Sequence, residues 1–564
     1  MYLVLIETSG NQKFIFSTNK LKENIGASEL TYRAGTMWVL EAVADINTSQ
    51  GLIWHQDSKQ FRRNLLQQES EQFIQTPDIK VEVIVATSGK ALLLTKERED
   101  AKAVIHKVTR RALHEAPGLD VCGVIQYLDW YQEKSVAEAV HKVHKEFSSV
   151  HSSKPSPYLR FLRLPVVEEC STSGLPAFRL VSDGESKSAA PLSYVSLAKQ
   201  ECSEASLQRM ARILKETDEP NIKLARNVRQ LEAKFTALDW LAVIHADGNG
   251  LGEIFLNFEN YIENPLDNRE YINQLRQFSV ALDVCTEEAF LSALNTFTPG
   301  DDGLIPVVPL VLGGDDLTII CEGKGALKFI KAFLTAFEQE TALSSHVEEI
   351  IPKIAKKALQ VERLSACAGV AIIKPHFPFS VAYDLSEELM KSAKQVKKKV
   401  TNKNTQPYPC SAIDFHILYD SSDVELGKIR SKLEMDDGTE KTKLYKRPYV
   451  VTPQAELKCA VDPAWAKFHC WESLEELVQA LKDTKDGRYK LPSGQIHDLR
   501  TGLFLGKQLA DARFKLIYHR YIESGIHKLQ GDPNSLFQQE PTSNIYITGL
   551  LDAIEAAEFL DLEK

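Results

Sequence analysis

Three features are scarce in this chain of 564 residues: positive charge, long apolar runs and paired cysteines. Its 67 Lys and Arg residues are outnumbered by 77 Asp and Glu residues, which argues against a protein built mainly to coat nucleic acid, although a basic groove could still exist locally. No apolar run reaches membrane-spanning length, and the longest, at residues 304–312, contains two prolines. The N-terminus has no basic segment before an apolar core, so we expect no signal peptide, no membrane partner and a cytoplasmic location.

The most informative sequence is Gly-Gly-Asp-Asp at residues 313–316, which lies between two apolar runs. Apolar runs joined by a short Gly/Asp turn predict a β-hairpin, here with Asp315 and Asp316 at its exposed tip. Gly313 and Gly314 would let a phosphate or sugar approach the backbone closely. Because adjacent carboxylates repel one another, they favour a bound cation, and Mg²⁺ with a nucleoside triphosphate is the usual occupant.

A second segment supports a nucleotide site. Residues 241–247 form an apolar run that ends in Asp247, which predicts a buried strand with a carboxylate at its end. The turn that follows is glycine-rich and consists of Gly248, Asn249 and Gly250. Backbone of this kind suits a metal–triphosphate site. Asp247, Asp315 and Asp316 would place three carboxylates on neighbouring strands, which is the arrangement that two-metal phosphoryl transfer needs.

These two motifs resemble the palm domain of the large polymerase-like subunit of type III CRISPR effector complexes, which makes cyclic oligoadenylates from ATP. That palm is related to GGDEF diguanylate cyclases and class III adenylyl cyclases. The resemblance implies that Asp247 and Asp315 hold the metals, Mg²⁺ or Mn²⁺, and that Asp316 assists. It also implies that Lys394 contacts the triphosphate, and that residues 366–374 and 411–416 form the next strand and the closing strand.

The first part of the chain repeats this organisation. Residues 85–95 predict another hairpin, followed by a helix near 97–113 and a strand near 121–126. The order strand–helix–strand–strand–helix–strand therefore occurs twice, which is the ferredoxin-like arrangement. The first copy has Ser-Gly-Lys-Ala where the second has Gly-Gly-Asp-Asp, so it cannot hold the metals. A degenerate palm followed by a catalytic one also fits the resemblance.

We predict an α+β or α/β fold with four regions. Residues 1–145 are the degenerate first palm, and 146–235 are a linker and helical middle region that begins near the Ser- and Pro-rich stretch 148–157. Residues 236–420 are the catalytic palm. Residues 421–564 are a mostly helical C-terminal domain, because apolar residues there recur at helical spacing.

Two further sites are expected to be absent. Relatives often carry zinc between the palms, but here Ser173 stands where a second ligand would follow Cys170, and Cys202 comes later. Two lone thiols do not make a four-ligand site, so no zinc is expected. Many relatives begin with a His-Asp nuclease domain, whereas the His-Asp pair here is His497-Asp498, which we expect in a turn. We therefore expect no cleavage of single-stranded DNA.

Six lysines come after the predicted strand at residues 366–374: Lys391, Lys394, Lys397, Lys398, Lys399 and Lys403. Most are interpreted as the solvated face of an amphipathic helix whose other face carries Leu385, Leu389, Val396 and Val400. Lys394 is the exception, because its position matches the family motif.

The resulting hypothesis is a nucleotidyltransferase that condenses ATP into cyclic or linear oligoadenylates in antiviral CRISPR signalling. RNA and the small protein subunits of an effector complex are the partners that the resemblance implies. One alternative is a scaffold subunit with a vestigial palm, which three mutually repelling carboxylates argue against. The other is a template-dependent polymerase, which the acidic charge balance disfavours.

Overall fold

The computed structural model describes residues 1–47, 55, 57–71, 74, 76–77, 79–182, 189–215, 222–234, 238–343, 347–402, 406–419, 424–436, 438, 440–460, 463–485, 488–489, 491–521, 526–541 and 543–560. Within this part of the chain, no helix combines the length and the apolarity that crossing a membrane requires.

The first region is a four-stranded antiparallel sheet covered by helices. Its elements are β1 (Tyr2–Ser9), α1 (Asn11–Phe16), α2 (Leu21–Gly35), α3 (Met37–Ile46), α4 (Ser58–Glu71), β2 (Val81–Thr87), β3 (Lys90–Thr95), α5 (Arg98–Glu115), β4 (Asp120–Tyr127) and α6 (Ser135–Ser153). The strand order is β2-β3-β1-β4. Helix α6 runs into the stretch predicted as a linker, where the Ser148 and Ser152 hydroxyls donate to helix carbonyls one turn earlier.

The middle region packs on the first sheet's helices. Its elements are β5 (Arg179–Val181), β6 (Ala190–Leu192), α7 (Tyr194–Lys215), β7 (Lys223–Leu224) and α8 (Val228–Lys234). Helix α7 lies along α2, and Gly26 makes this approach close: a Cβ atom there would lie 1.6 Å from the backbone oxygen of Lys199. The middle region is therefore docked on the first palm rather than extended.

The second palm contains the larger sheet. Its elements are β8 (Leu241–Gly248), α9 (Leu251–Leu256), α10 (Asn268–Leu294), β9 (Leu304–Ile305), β10 (Val307–Gly313), β11 (Asp316–Glu322), α11 (Gly323–Ala342), α12 (Ile350–Leu359), β12 (Ala366–Ile373), α13 (Phe379–Ala393) and β13 (Ala412–Ile417). The order β10-β11-β8-β12 repeats the order of the first sheet. The predicted pair of ferredoxin-like palms is therefore confirmed.

The last region joins helices to short strands. Its elements are α14 (Leu426–Ser431), β14 (Glu434–Asp436), β15 (Lys441–Lys443), β16 (Tyr449–Val450), α15 (Ala464–Phe468), α16 (Trp471–Lys482), β17 (Thr484–Lys485), β18 (Arg488–Tyr489), α17 (Ser493–Leu503), α18 (Lys507–Tyr518), β19 (Gln538–Gln539), β20 (Ile545–Ile547) and α19 (Leu550–Ala556). Strand β16 pairs with β13 and extends the palm sheet beyond residue 420. Strands β14-β15-β20-β19 form a small sheet beside the helices.

The expectation that His497-Asp498 lies in a turn is wrong. Both residues are inside α17, and Asp498 accepts a hydrogen bond from Arg513 of α18 at 3.0 Å. The dipeptide therefore belongs to a contact between two helices.

Both palm sheets are buried on both faces. Successive residues of β1 belong to different apolar clusters, with Leu3 in one and Val4 in the other. In β8, Ile244 and Val243 likewise lie in different clusters, on opposite faces of the sheet. The helices also cross between the palms, because α2 packs against β10 while α10 packs against β2. Each palm hairpin is thus supported by a helix of the other palm.

A buried ionic contact joins the palms at β2. The Glu82 carboxylate accepts from Arg276 of α10 at 2.7 Å and from Arg269 at 2.6 Å, and the side chains of Glu82 and Arg276 are completely buried. Breaking a buried pair leaves an uncompensated charge in a low-dielectric interior.

Glu82→Ala should therefore lower the free energy of unfolding by about 3–5 kcal/mol. Denaturant titration would measure this change, with Glu99→Ala as the control, because Glu99 forms only an exposed pair with Lys102. Equal effects of the two substitutions would contradict the role given to the buried pair.

Candidate active site

The predicted carboxylates converge at one end of the second palm sheet. Strands β8 and β11 are antiparallel neighbours with Leu317 opposite Ala246, so Asp316, which begins β11, lies beside Asp247 near the end of β8. Asp315 occupies the two-residue turn between β10 and β11, where Gly313 faces Asp316. The hairpin turn thus brings Asp315 and Asp316 to the strand end that carries Asp247.

Asp315 also packs directly against the backbone after Asp247. A Cβ atom on Gly248 would lie 2.7 Å from Oδ2 of Asp315 and 2.9 Å from its Cβ. The absence of a side chain at position 248 therefore provides the space that the Asp315 carboxylate occupies.

The two hairpin carboxyls have raised pKa values. Burial and the nearby Asp247 raise the pKa of Asp315 to about 7, with a further contribution from Asp316. Burial and Asp247 likewise raise the pKa of Asp316 to about 8, although 41% of its side chain is exposed. The site therefore favours a positive charge among these groups.

One oxygen of Asp316 lacks a donor. Oδ1 is buried and accepts no hydrogen bond from the described residues. It lies 3.4 Å from Nδ1 of His245, but that imidazole is 3.0 Å from the Thr318 hydroxyl and burial lowers its pKa to about 4. At neutral pH His245 is uncharged and does not neutralise Asp316.

Lys394 places a positive charge against Asp247. Its side chain follows the end of α13, and the ammonium group pairs with the Asp247 carboxylate and donates to the Gly248 carbonyl at 3.1 Å. Within the described residues, no three His, Cys, Asp or Glu side chains form a ready-made metal-ligand group. In this conformation an ammonium occupies the position against Asp247 that a cation would take.

The other lysines of the cluster lie outside this contact. Lys391 pairs with Glu387 at 2.5 Å, and Lys397, Lys398 and Lys399 are exposed, whereas Lys403 lies outside the described residues. The apolar face is buried as expected, at Leu385, Leu389, Val396 and Val400.

The glycine-rich turns are less open than predicted. The Asn249 N–H donates to the Ser365 carbonyl at 2.9 Å, and its side-chain amide donates to Ser365 and to the Cys410 carbonyl. This N–H is therefore not free for a phosphate. Gly250, at φ +74°, has open space around its Cα. A Cβ atom on Gly313, in contrast, would lie 3.7 Å from Cβ of Ser88 in the first palm.

Two contacts to Gly314 could not be read from the sequence. At φ +63° Gly314 adopts a left-handed conformation, its N–H donates to Asp283 at 2.7 Å, and its carbonyl accepts from Thr286 at 2.6 Å. Asp283 and Thr286 lie in α10, about thirty residues earlier in the chain. The regular apolar spacing of that helix carries no signal that marks them.

The position predicted for a degenerate zinc element is filled by hydroxyl groups. The Cys170 thiol lies 3.3 Å from the Thr172 hydroxyl and 3.5 Å from that of Ser196, while the Ser173 and Ser193 hydroxyls are 3.0 Å apart. The Cys-x-x-Ser segment at residues 170–173 thus lies opposite the Ser-x-x-Ser segment at residues 193–196. Although burial opposes it, hydrogen bonding by these hydroxyls lowers the pKa of Cys170 to about 6.

Cys202 lies outside this cluster of hydroxyl-bearing residues around Cys170. It lies further along α7, with its sulfur 3.9 Å from a guanidinium nitrogen of Arg33. The start of α7 instead brings Ser196 beside Cys170, and Ser193 beside Ser173.

Comparisons with known proteins bear on the second palm. Residues 240–404 match the family described as Cas10/Cmr2, second palm domain. No sequence among curated proteins matches the chain.

Several solved structures of Csm1–Csm4 cassettes are similar in part. A cassette in complex with pppApApA shares 12% identity at a TM-score of 0.49, and covers 99% of this chain and 69% of its own. The apo cassette shares 13% identity at a TM-score of 0.39, with 70% and 52% covered. A cassette with cA4 shares 12% identity at a TM-score of 0.42, with 99% and 70% covered. The chain thus spans between about half and seven-tenths of these chains.

Proposed function

We propose, from the premise that this chain carries a second palm domain of the Cas10/Cmr2 family, that it is a nucleotidyltransferase which joins ATP into cyclic or linear oligoadenylates. The observation that carries the proposal is the convergence of Asp247, Asp315 and Asp316 at the adjoining ends of β8 and β11. We further propose that it works within an RNA-guided effector complex with small protein subunits.

The donor set fits a divalent cation such as Mg²⁺. Carboxylate oxygens are its preferred ligands, and Oδ1 of Asp316 is a buried acceptor that receives no hydrogen bond from the part of the chain that the structure describes. The Lys394 ammonium already takes a cation's place against Asp247. Asp247 and Asp315 would hold the metal and Asp316 would assist. When bound, Mg²⁺ neutralises charge on the triphosphate and lowers the pKa of an attacking hydroxyl.

The side chains of the chain would then have separate tasks. Lys394, once displaced from Asp247, would reach the triphosphate oxygens. The open space around Gly250 would admit the nucleotide beside the carboxylates. A ribose hydroxyl of one nucleotide would attack the α-phosphorus of another, the new P–O bond would replace the bond to pyrophosphate, and the hydroxyl proton would pass to solvent.

The test is product identification. The chain would be incubated with Mg²⁺ or Mn²⁺ and each labelled nucleoside triphosphate, alone and reconstituted with RNA and partner subunits, and the products resolved by mass. We expect pyrophosphate and oligoadenylates from the wild type and none from the Asp315→Ala, Asp316→Ala variant. No product in either setting would contradict the proposal and favour a scaffold. Extension of an annealed primer in place of ATP-only products would favour a template-dependent polymerase.

A further inference from the structure

The residue before Asp315 is held by two side chains of one helix. Gly314 donates its N–H to Oδ1 of Asp283 at 2.7 Å and accepts from the Thr286 hydroxyl at 2.6 Å. Asp283 and Thr286 are three residues apart in α10, so they present their polar groups on the same face of the helix. The two peptide planes on either side of Gly314 are thereby fixed, and the second leads directly into Asp315.

This clamp is connected to the first palm. Arg62 of α4 forms a two-point ion pair with Glu287, one helical turn after Asp283, through contacts of 2.5 and 2.8 Å. Burial raises the pKa of Asp283, whereas the Arg62 charge and the Gly314 N–H favour its ionised form. A cavity of about 30 Å³, with room for one water molecule, lies between the palms against Arg62, Asp283 and Gly313.

The hairpin of the first palm is held differently. Its turn carbonyl, at Gly89, accepts from the N–H of Thr8 at 2.8 Å and from the Thr8 hydroxyl at 3.1 Å, and Thr8 belongs to β1 of the same sheet. Asp283 also makes a side-chain hydrogen bond with Thr87 at the end of β2, so this acid contacts both hairpins. At Gly314, the residue before Asp315, a helix acid and a helix hydroxyl together hold one turn residue.

We propose that Asp283 and Thr286 are positioning residues for nucleotidyl transfer, and that the first palm, whose hairpin lacks the two aspartates, supports them through Arg62. The proposal rests on the proposed function. Neither residue touches the reacting atoms: they hold the Gly314 backbone, and through it the direction in which the Asp315 carboxylate points. A displacement of about 1 Å at a reacting centre can cost about a hundredfold in rate.

The test compares Asp283→Ala, Thr286→Val and Thr286→Ser with Ser292→Ala, an exposed control in the same helix. Asp283→Ala should retain the fold, because Arg62 keeps its pair with Glu287. We expect kcat to fall about 10- to 100-fold for Asp283→Ala and Thr286→Val, with the KM for ATP within about threefold of wild type. Thr286→Ser should restore most of the activity, and Ser292→Ala should match wild type.

Two measurements do not depend on turnover. Hydrogen exchange in a peptide covering residues 313–316 should accelerate in Asp283→Ala, and the affinity for Mn²⁺ should fall in the same variant. If exchange and Mn²⁺ affinity are unchanged in Asp283→Ala, the clamp is overturned, whether or not the wild type makes product. Absence of product from the wild type would count against the proposed function alone. In an active enzyme, an unchanged kcat in Asp283→Ala, or an equal loss in Thr286→Ser and Thr286→Val, would also overturn it.

Discussion

Replacing Asp247 by Asn should lower oligoadenylate formation by at least about a thousandfold, since a metal-held oxygen contributes several kcal/mol and each ~1.4 kcal/mol is tenfold. Burial and the charge of Asp247 raise the pKa of both hairpin aspartates, and Asp247 is also the group that Lys394 pairs with. The amide keeps the shape of the side chain and removes its charge, so the fold should be preserved.

Initial rates at saturating ATP and Mg²⁺ would measure this loss, together with an unfolding midpoint for each protein. Asp302→Asn is the matched control, because Asp302 is exposed and pairs only with Lys234 at 2.9 Å among the described residues. A variant at position 247 that retains a tenth or more of the wild-type rate would show that Asp247 is not a metal ligand.

A single methyl group at position 248 should be almost as damaging. A Cβ atom there would lie 2.4 Å from Cδ1 of Leu251 and 2.7 Å from Oδ2 of Asp315, so the carboxylate must move. Gly248 does not have a positive φ, hence the cost is steric rather than conformational. We expect Gly248→Ala to reduce the rate about a hundredfold or more.

Gly252→Ala provides the comparison for this substitution. Gly252 lies four residues on, in α9, and a Cβ atom there has no neighbour within 4 Å. The rate of Gly252→Ala should equal that of wild type, and its helix should gain slightly in stability. Equal rates for the two variants would mean that the position of Asp315 does not limit the reaction.

Much of the fold follows from local patterns. The apolar runs on either side of the Gly-Gly-Asp-Asp sequence predict the hairpin of β10 and β11, and the recurrence of hairpin, helix and strand predicts the first palm. Both are confirmed by the matching strand orders. Patterns of this kind are short-range, because a turn and its flanking strands are continuous in sequence.

The parts that could not be predicted depend on distant residues. Asp283 and Thr286 meet Gly314 across about thirty residues, and Ser196 meets Cys170 across 26 residues. In the sequence, the turn around Asn249 resembles an open phosphate-binding loop. In the structure, its backbone N–H and side-chain amide donate to the carbonyls of Ser365 and Cys410. The C-terminal strands β14, β15, β19 and β20 are too short to stand out against the helical spacing around them.

On this mechanism Asp247 and Asp315 hold a divalent cation, and Lys394 then leaves Asp247 for the triphosphate. Crystals of the chain soaked with Mn²⁺ and a non-hydrolysable ATP analogue would test it through anomalous diffraction. We expect an anomalous peak between the Asp247 and Asp315 carboxylates, with the Lys394 ammonium on the analogue's phosphates. Nucleotide bound elsewhere, or Mn²⁺ absent from these carboxylates while Lys394 stays on Asp247, would contradict it.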